Sequence, residues 1–203
     1  MIERLNSILV CEQPVFFLLA GPNGAGKSTF RQLKLTPLGL NCIDPDQIAL
    51  EKYGRHPSTD DESRAATIEA TRLARVSMLS GATIGLETVF SDTSSRKLNL
   101  LKEAKSLGYK AGIIFIGIND HNLAIARVMD RVEQKGHDVT DDKIINRFPK
   151  VFENLQRSLV MADFIILIDN SSEYGHQVFG AYTPENGIEV WGELPRWYHS
   201  INW

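Results

Sequence analysis

The sequence has 203 residues, of which 43% are hydrophobic and 23% are charged, and its formal net charge at pH 7 is -3. These values are typical of a globular protein, and we expect residues 1–203 to form one α/β domain. The negative charge argues against a general nucleic-acid-binding surface. No apolar run approaches about 18 residues, so neither a membrane span nor a signal peptide is predicted. The two cysteines, Cys11 and Cys42, lack metal-ligand spacing, and we expect reduced thiols in a cytoplasmic protein.

The first predicted strand covers Val15–Ala20, a continuous apolar run that is typical of a buried parallel strand. Residues 21–28 follow it with the complete P-loop pattern GxxxxGK[ST], and a helix is predicted from residue 27 to about 35. In that context the glycines bring backbone N–H groups to phosphates, and the helix N-terminus adds partial positive charge. The sequence therefore predicts an ATP site in which Lys27 contacts the β- and γ-phosphates and Ser28 binds Mg²⁺. The residues predicted to hold the nucleotide are Gly21, Pro22, Asn23, Gly24, Ala25, Gly26, Lys27, Ser28 and Thr29.

A second short strand is predicted at residues 40–43, followed by Asp44-Pro45-Asp46 and a helix over 46–53. In a doubly wound sheet, these two carboxylates lie at the carboxyl edge beside the P-loop. A kinase needs a base near the acceptor hydroxyl, and Asp46 is our candidate for it. Asp44 either orients Mg²⁺-bound water or only caps the helix.

The next helix is predicted to begin at an N-cap at Ser58 or Thr59 and to end near residue 79. Five residues are spaced three or four apart on what we take as its apolar face: Ala66, Ala70, Leu73, Val76 and Leu79. A third strand over 83–87 follows it. Glu87 and Thr88 then reach the same sheet edge, where they either hold a hydroxyl-rich acceptor or cap the strand end.

A helix over 94–107 and a strand over 110–116 lead to a predicted lid at about residues 121–150. This lid consists of a helix over 121–133, a loop, and a helix from 140 to about 160 with a break or kink at Pro149. Arg127 and Arg131 share one helix face and Arg147 lies on the second helix, so these arginines either reach the γ-phosphate or pair with surface carboxylates. His137, in the loop, either contacts substrate or is solvated.

The last predicted parallel strand covers residues 163–168, and Asn170 after it is placed at the adenine end of the pocket. An Asn-Gly turn at 186–187 predicts a β-hairpin at about 176–192. The alternation of strands and helices predicts the P-loop NTPase fold. We expect a three-layer sandwich with a mainly parallel sheet, helices on both faces and a C-terminal hairpin.

The P-loop alone indicates nucleotide binding rather than one reaction. The sequence lacks the LSGGQ-like signature of transporter subunits and the Asn-Lys-x-Asp signature of guanine recognition, which favours ATP. Three functions remain open at this stage. The first is a kinase of a nucleotide sugar, the second is a kinase of another small hydroxyl compound, and the third is a nucleotide-switched ATPase that controls a binding partner.

The order of these motifs resembles that of the zeta toxins, which are kinases of UDP-N-acetylglucosamine in bacterial toxin–antitoxin systems. The segments that carry the resemblance are AGPNGAGKST at 20–29, DPDQIA at 44–49, ETVFS at 87–91, RV at 127–128 and 131–132, GHDV at 136–139, RF at 147–148 and DNS at 169–171. The P-loop is shared widely, whereas the ordered combination is specific. This chain resembles the compact members, although Lys135-Gly136-His137 stands where those commonly have paired glycines.

The resemblance implies that Lys27 binds the ATP phosphates, that Asp46 is the base, and that Glu87 and Thr88 hold the sugar nucleotide. It implies that two lid arginines bind the transferring phosphoryl group, and the pair is not fixed because longer members place the second arginine differently. The implied reaction phosphorylates the sugar 3′-hydroxyl of UDP-N-acetylglucosamine. The implied partner is a small antitoxin that occludes the ATP site.

Overall fold

The structure is a computed structural model that describes residues 9, 12–133, 136 and 138–203. Cys11 and His137, which figured in the sequence predictions, lie outside those residues. The strands are β1 (Val15–Ala20), β2 (Cys42–Ile43), β3 (Ile84–Thr88), β4 (Lys110–Gly117), β5 (Phe164–Asp169), β6 (Gln177–Thr183) and β7 (Gly187–Val190). The α-helices of the described residues are α1 (Lys27–Phe30), α2 (Pro45–Tyr53), α3 (Asp60–Leu79), α4 (Arg96–Ser106), α5 (His121–Glu133) and α6 (Asp141–Ser158).

The seven strands form one sheet in the order β2-β3-β1-β4-β5-β6-β7. Strands β1 to β5 are parallel, and β6 and β7 extend the sheet as an antiparallel hairpin. Both the mainly parallel sheet and the C-terminal hairpin were predicted. Since parallel strands end at the same edge, the segments that follow β1, β2, β3 and β5 converge there.

Two apolar cores cover the two faces of the sheet, because successive residues of a strand point to opposite sides. In β1, Phe16 and Leu18 pack with buried residues of α3, α4 and the second half of α6. Phe17 and Leu19 pack on the other side with Phe30 and with buried residues of α5. The result is the predicted three-layer arrangement.

The helix that follows the glycine-rich loop is more irregular than predicted. Four α-helical residues, Lys27–Phe30, lead into a π-helical turn, Arg31–Leu35, and a 3₁₀ turn, Thr36–Leu38. The chain leaves this segment at Gly39, which adopts φ +71°. A π-turn widens the helix locally, and such turns occur often at functional sites.

Two predictions about helices are wrong in part. Helix α3 buries Ala66, Ala70, Ala74 and Met78, whereas Val76 and Leu79 of the predicted face are 51% and 74% exposed. The buried residues are spaced four apart, and the three alanines among them let α3 pack closely against the sheet. Of the break or kink predicted at Pro149, the break is absent, because α6 continues through this residue. Ile144 before this proline and Val151 and Phe152 after it are buried, and this packing offsets the hydrogen bond that proline cannot make.

The C-terminal segment closes one face of the sheet. A 3₁₀ helix, Arg196–Ser200, places Trp197 against Phe115, Phe152 and Phe179. Its indole Nε1 donates to Asp169 Oδ1 at 2.8 Å, which satisfies the one polar atom of the ring. No helix of the described residues is long and apolar enough to cross a bilayer.

Candidate active site

The carboxyl ends of the parallel strands open into a cleft of about 1080 Å³. The cleft is lined by most of the residues selected from the sequence: Asn23, Gly24, Gly26, Lys27, Ser28, Thr29, Asp44, Asp46, Glu87, Thr88, Arg127, Arg131, Arg147 and Asn170. Gly21, Pro22 and Ala25 belong to the same loop but do not line the cleft. Residues from six separate segments of the sequence therefore share one site.

Lys27 lies folded onto the glycine-rich loop. Its Nζ donates to the carbonyl oxygens of Gly21 at 3.0 Å and Pro22 at 2.8 Å, and only 8% of the residue is exposed. Burial lowers the pKa of Lys27, while the carboxylates of Glu87 and Asp46 act in the opposite direction. The ammonium group is thus held at the mouth of the loop with carbonyls as its present acceptors, where anionic oxygens can replace them.

A polar network joins the loop to the ends of β2 and β3. Ser28 Oγ donates to Glu87 Oε1 at 2.8 Å. Arg31, in the π-turn, forms an ion pair with Asp44 at 2.7 Å, and its Nε lies 3.2 Å from Glu87 Oε2 without hydrogen-bond geometry. Asp44 Oδ1 also accepts the backbone N–H of Asp46 at 2.9 Å, which caps α2. The proposed cap at Asp44 is therefore present, and Arg31 holds the second carboxylate oxygen.

Burial raises the pKa of both Glu87 and Asp44, and each of these groups is pushed further upward by a neighbouring carboxylate. The Asp44 carboxylate raises the pKa of Glu87, and the Asp46 carboxylate raises the pKa of Asp44. Among the described residues, Glu87 Oε2 is a buried oxygen without a hydrogen-bond donor. A buried carboxylate oxygen beside the Ser28 hydroxyl is a donor set that suits a hard divalent cation such as Mg²⁺.

The loop is also supported from the side of β5. Asn170 Nδ2 donates to Ala25 O at 2.9 Å, and His176 Nε2 lies 3.0 Å from Gly26 O. Gly26 has φ +83°, and a Cβ there would lie 2.6 Å from Asn170 Nδ2. Arg127 donates to Asn170 O at 2.7 Å and to Gly24 O at 3.4 Å. These contacts fix the backbone whose N–H groups form the cradle.

The three arginines selected from the sequence occupy different surroundings. Arg127 contacts the loop backbone, as described above. Arg131 lies close enough to Lys27 that its charge lowers the pKa of that lysine. Gly136 N donates to Arg131 O at 2.8 Å, and a Cβ at position 136 would lie 2.4 Å from Arg131 Cγ. Arg147 lines the cleft near Asp60, a carboxyl whose pKa is lowered chiefly by Lys143 and further by the charge of Arg147.

Thr88 stabilises the turn that follows β3. Its Oγ1 accepts the backbone N–H of Phe90 at 3.1 Å, and Phe90 has φ +64°, which is uncommon for a residue with a side chain. Asn154 Nδ2 donates to Phe90 O at 2.8 Å from α6. The predicted contact between Thr88 and an acceptor stays a prediction.

Sequence reasoning missed three residues of this site: Arg31, Lys97 and His176. Arg31 lies three residues after Ser28, so helical spacing alone indicates that the two share a face. Lys97 and His176 follow irregular segments, and no local pattern brings them to the cleft or the loop. Only the tertiary structure reveals them.

The matches to known proteins agree with this geometry. The sequence profile of the zeta toxin family matches residues 3–174. An uncharacterised protein of Haemophilus influenzae is 30% identical over 132 residues, which is 63% of this chain and 88% of that protein. Because it combines this sheet with a glycine-rich loop between β1 and α1, the chain has the fold of the P-loop kinases. More particularly, it belongs to the zeta toxin family.

Solved structures with the same fold are more distant in sequence. The toxin–antitoxin system PezAT of Streptococcus pneumoniae gives a TM-score of 0.58 at 19% identity, over 82% of this chain and 74% of that one. AvrRxo1-ORF1:-ORF2 with ATP gives 0.60 at 17% identity, over 88% and 60%. A kinase candidate from Chloroflexus aurantiacus gives 0.57 at 15% identity, over 79% and 90%. At these identities the likeness concerns the fold.

Proposed function

We propose that this protein transfers the γ-phosphate of ATP to a hydroxyl group of UDP-N-acetylglucosamine or a related nucleotide sugar. The observation that carries the proposal is the position of Lys27, Asp46 and Glu87 around one cleft, with both carboxylates close enough to act on the pKa of the lysine. A cradle with a base opposite it is what phosphoryl transfer to a hydroxyl requires.

Lys27 and the loop backbone form the donor half of this site. When ATP binds, its phosphate oxygens replace the carbonyls of Gly21 and Pro22 as the acceptors of the Lys27 ammonium group. The exchange is favourable because a hydrogen bond between two charged groups is stronger than one to a neutral carbonyl. Backbone N–H groups of residues 23–28 bind the remaining oxygens.

Mg²⁺ fits between the two halves, and Ser28 and Glu87 are the residues that would hold it. When bound, the ion neutralises phosphate charge during the transfer. The buried Glu87 Oε2, which lacks a hydrogen-bond donor among the described residues, supports this assignment. Arg31 keeps the Glu87 and Asp44 carboxylates oriented by contacting both of them.

Asp46 is the base of the acceptor half. Its carboxylate takes the proton of the acceptor hydroxyl as that oxygen forms a bond to the γ-phosphorus. The bond from the γ-phosphorus to the bridging oxygen breaks, and ADP leaves with the bonding electrons. Asp44 fixes the start of α2 through the hydrogen bond from Asp46 N, so the base is held at a defined place.

Two arginines are assigned to the negative charge of the phosphates. Arg131, whose charge acts on Lys27, is assigned to the transferring phosphoryl group. Arg127 is assigned to the ATP side, since it donates to the backbone of Gly24 and Asn170. Asn170 is assigned to nucleotide binding through its support of the loop, and Thr88 and Arg147 to the acceptor. The lid predicted at about residues 121–150 stays a prediction.

Membership of the zeta toxin family supports the further proposal that this kinase is a cytoplasmic toxin component with a small protein antitoxin. The fold is shared with the PezAT toxin–antitoxin system of S. pneumoniae. An antitoxin that covers the cleft would block ATP entry, and co-expression with the neighbouring reading frame tests this by co-purification.

The test of the reaction is incubation of the protein with ATP, Mg²⁺ and a panel of UDP-sugars, followed by mass spectrometry and ³¹P NMR of the products. We expect UDP-N-acetylglucosamine to gain one phosphate on a sugar hydroxyl. If ATP binds but no member of the panel is phosphorylated, the nucleotide-sugar assignment is wrong. If ATP is hydrolysed only in the presence of another protein, a nucleotide-switched module replaces the kinase.

A further inference from the structure

A lysine that the proposed mechanism does not use, Lys97, lines the cleft. Lys97 lies in the first turn of α4, and only 6% of the residue is exposed. Lysine is almost never buried to this degree without a partner of opposite charge, because removing an ammonium group from water is costly. The position therefore calls for a physical explanation.

The immediate partner of Lys97 is neutral. Its Nζ donates to Thr71 Oγ1 at 3.2 Å, and the Thr71 hydroxyl in turn donates to Thr67 O at 2.8 Å. Within the described part of the chain, no carboxylate forms an ion pair with Lys97 Nζ. Asp92, the acid that acts on it electrostatically, uses its Oδ2 to accept the backbone N–H of Lys97 at 3.4 Å. Two of the three ammonium donors are thus left for another acceptor.

A second lysine in the cleft shows the contrast. Lys143 is half-buried and forms an ion pair with Asp60 on the neighbouring helix α3, so its charge is compensated within the protein. Lys97 forms no such ion pair with a described residue. Burial lowers its pKa to about 8, and Arg96 and Arg75 act in the same direction while Asp92 opposes them.

We propose that Lys97 binds the diphosphate group of the acceptor. The step rests on the proposed function, because a nucleotide sugar is the acceptor class that carries such a group. An anionic oxygen would give the buried ammonium the partner that it lacks and would satisfy its remaining donors. Lys97 would then select phosphorylated sugars over neutral ones, and the carboxylate of Asp46 would be left to act on the hydroxyl.

The test compares wild type with Lys97→Met, Lys97→Arg and, as a control, Lys102→Met, which removes an exposed lysine of the same helix. Steady-state kinetics with UDP-N-acetylglucosamine should show that Lys97→Met raises the acceptor KM about 10- to 100-fold. The KM for ATP should stay unchanged. Lys97→Arg should recover part of the loss, and Lys102→Met should behave as wild type.

The pH dependence separates a binding role from a structural one. In wild type the acceptor KM should rise as pH increases through about 8, because the lysine loses its proton there. Lys97→Arg keeps its charge, so its KM should stay flat over that range. An acceptor KM that is unchanged in Lys97→Met would overturn the proposal, as would a wild-type KM with no rise above pH 8.

Pyrophosphate, used as a probe in place of the nucleotide sugar, tests diphosphate binding at Lys97 independently of the proposed kinase reaction. Pyrophosphate is titrated calorimetrically into protein saturated with Mg²⁺ and a non-hydrolysable ATP analogue, at constant free Mg²⁺. Binding that Lys97→Met weakens about tenfold or more, and Lys97→Arg restores, supports the diphosphate site even if UDP-N-acetylglucosamine is not phosphorylated. Absent binding, or equal binding to wild type and Lys97→Met, overturns it.

Discussion

Ser28 Oγ donates to Glu87 Oε1 at 2.8 Å, which joins the first turn of α1 to the end of β3. Ser28 follows β1 and Glu87 lies in β3, and these two strands are neighbours in the sheet, so the contact follows from the strand order. The relationship couples the loop that holds the donor phosphates to the strand that was assigned to the acceptor. Glu87 consequently belongs to both halves of the site.

Glu87→Gln is predicted to lower kcat while leaving the protein at least as stable as wild type. Glu87 is assigned to the metal and also orients the Ser28 hydroxyl, so we expect its loss to cost at least about 10- to 100-fold in metal affinity or activity. Burial raises the pKa of Glu87 above its ordinary value of 4.5, so the ionised form is disfavoured in the folded state. The measurements are kcat and thermal unfolding as a function of pH.

The sign of the stability effect follows from that shift. A carboxyl whose pKa is raised by folding adds most to the free energy of unfolding at pH values below its unfolded pKa. This stabilisation is lost as pH rises through the folded pKa. The melting temperature of Glu87→Gln should therefore increase relative to that of wild type as pH rises from about 4 to 7. A variant that becomes relatively less stable over this interval would contradict the assignment.

Gly26→Ala is predicted to abolish tight nucleotide binding, and Gly39→Ala provides a matched control. Both glycines have positive φ, +83° and +71°, so alanine costs about 1–2 kcal/mol of backbone strain at either position. A Cβ at position 26 would also lie 2.6 Å from Asn170 Nδ2, whereas no atom of the described residues would lie within 4 Å of a Cβ at position 39. Calorimetry with ATP should show more than about tenfold weaker binding for Gly26→Ala alone.

Asp46→Asn is predicted to bind ATP normally and to lose about 10²- to 10⁴-fold in kcat, because it removes the base. Glu51→Gln, an exposed substitution on the same helix α2, is the control and should retain wild-type turnover. Single-turnover transfer measured by rapid quench compares the two. Wild-type turnover in Asp46→Asn would remove Asp46 from the role of base.

Arg127→Met and Arg131→Met are predicted to affect different kinetic constants. Arg127 contacts the backbone of the loop, so its loss should mainly raise the KM for ATP. The charge of Arg131 lowers the pKa of Lys27, and Arg131 is assigned to the transferring phosphoryl group. Its loss should therefore mainly lower kcat. Arg72→Met, on the exposed side of α3, should change neither. The reverse pattern would exchange the two assignments.

Much of the fold could be predicted from the sequence because local patterns determine it. The apolar run of β1, the glycine-rich loop and the Asn-Gly turn each specify a local conformation, and parallel strands then bring Asp44, Glu87 and Asn170 to one edge. The apolar face of α3 was predicted only in part, because apolar spacing of three or four residues fits more than one line along a helix. Ala66 and Ala70 of the predicted face are buried, and the buried line continues through Ala74 and Met78.

The parts of the site that escaped prediction depend on contacts between distant segments. His176 reaches Gly26 across 150 positions of sequence, and Lys97 reaches Thr71 on another helix. Neither residue lies in a motif, and the burial that distinguishes Lys97 is a property of the packed structure. Helical spacing from Ser28 is the one local signal that indicates Arg31.

The most direct test of the account follows the γ-phosphate itself. The protein is mixed with γ-³²P-labelled ATP, Mg²⁺ and UDP-N-acetylglucosamine, and the labelled products are separated after a single turnover. We expect the label to leave ATP and appear on a sugar hydroxyl of the nucleotide sugar, and we expect Asp46→Asn to prevent this transfer. Label that appears only as inorganic phosphate, at the same rate with and without the nucleotide sugar, would contradict it.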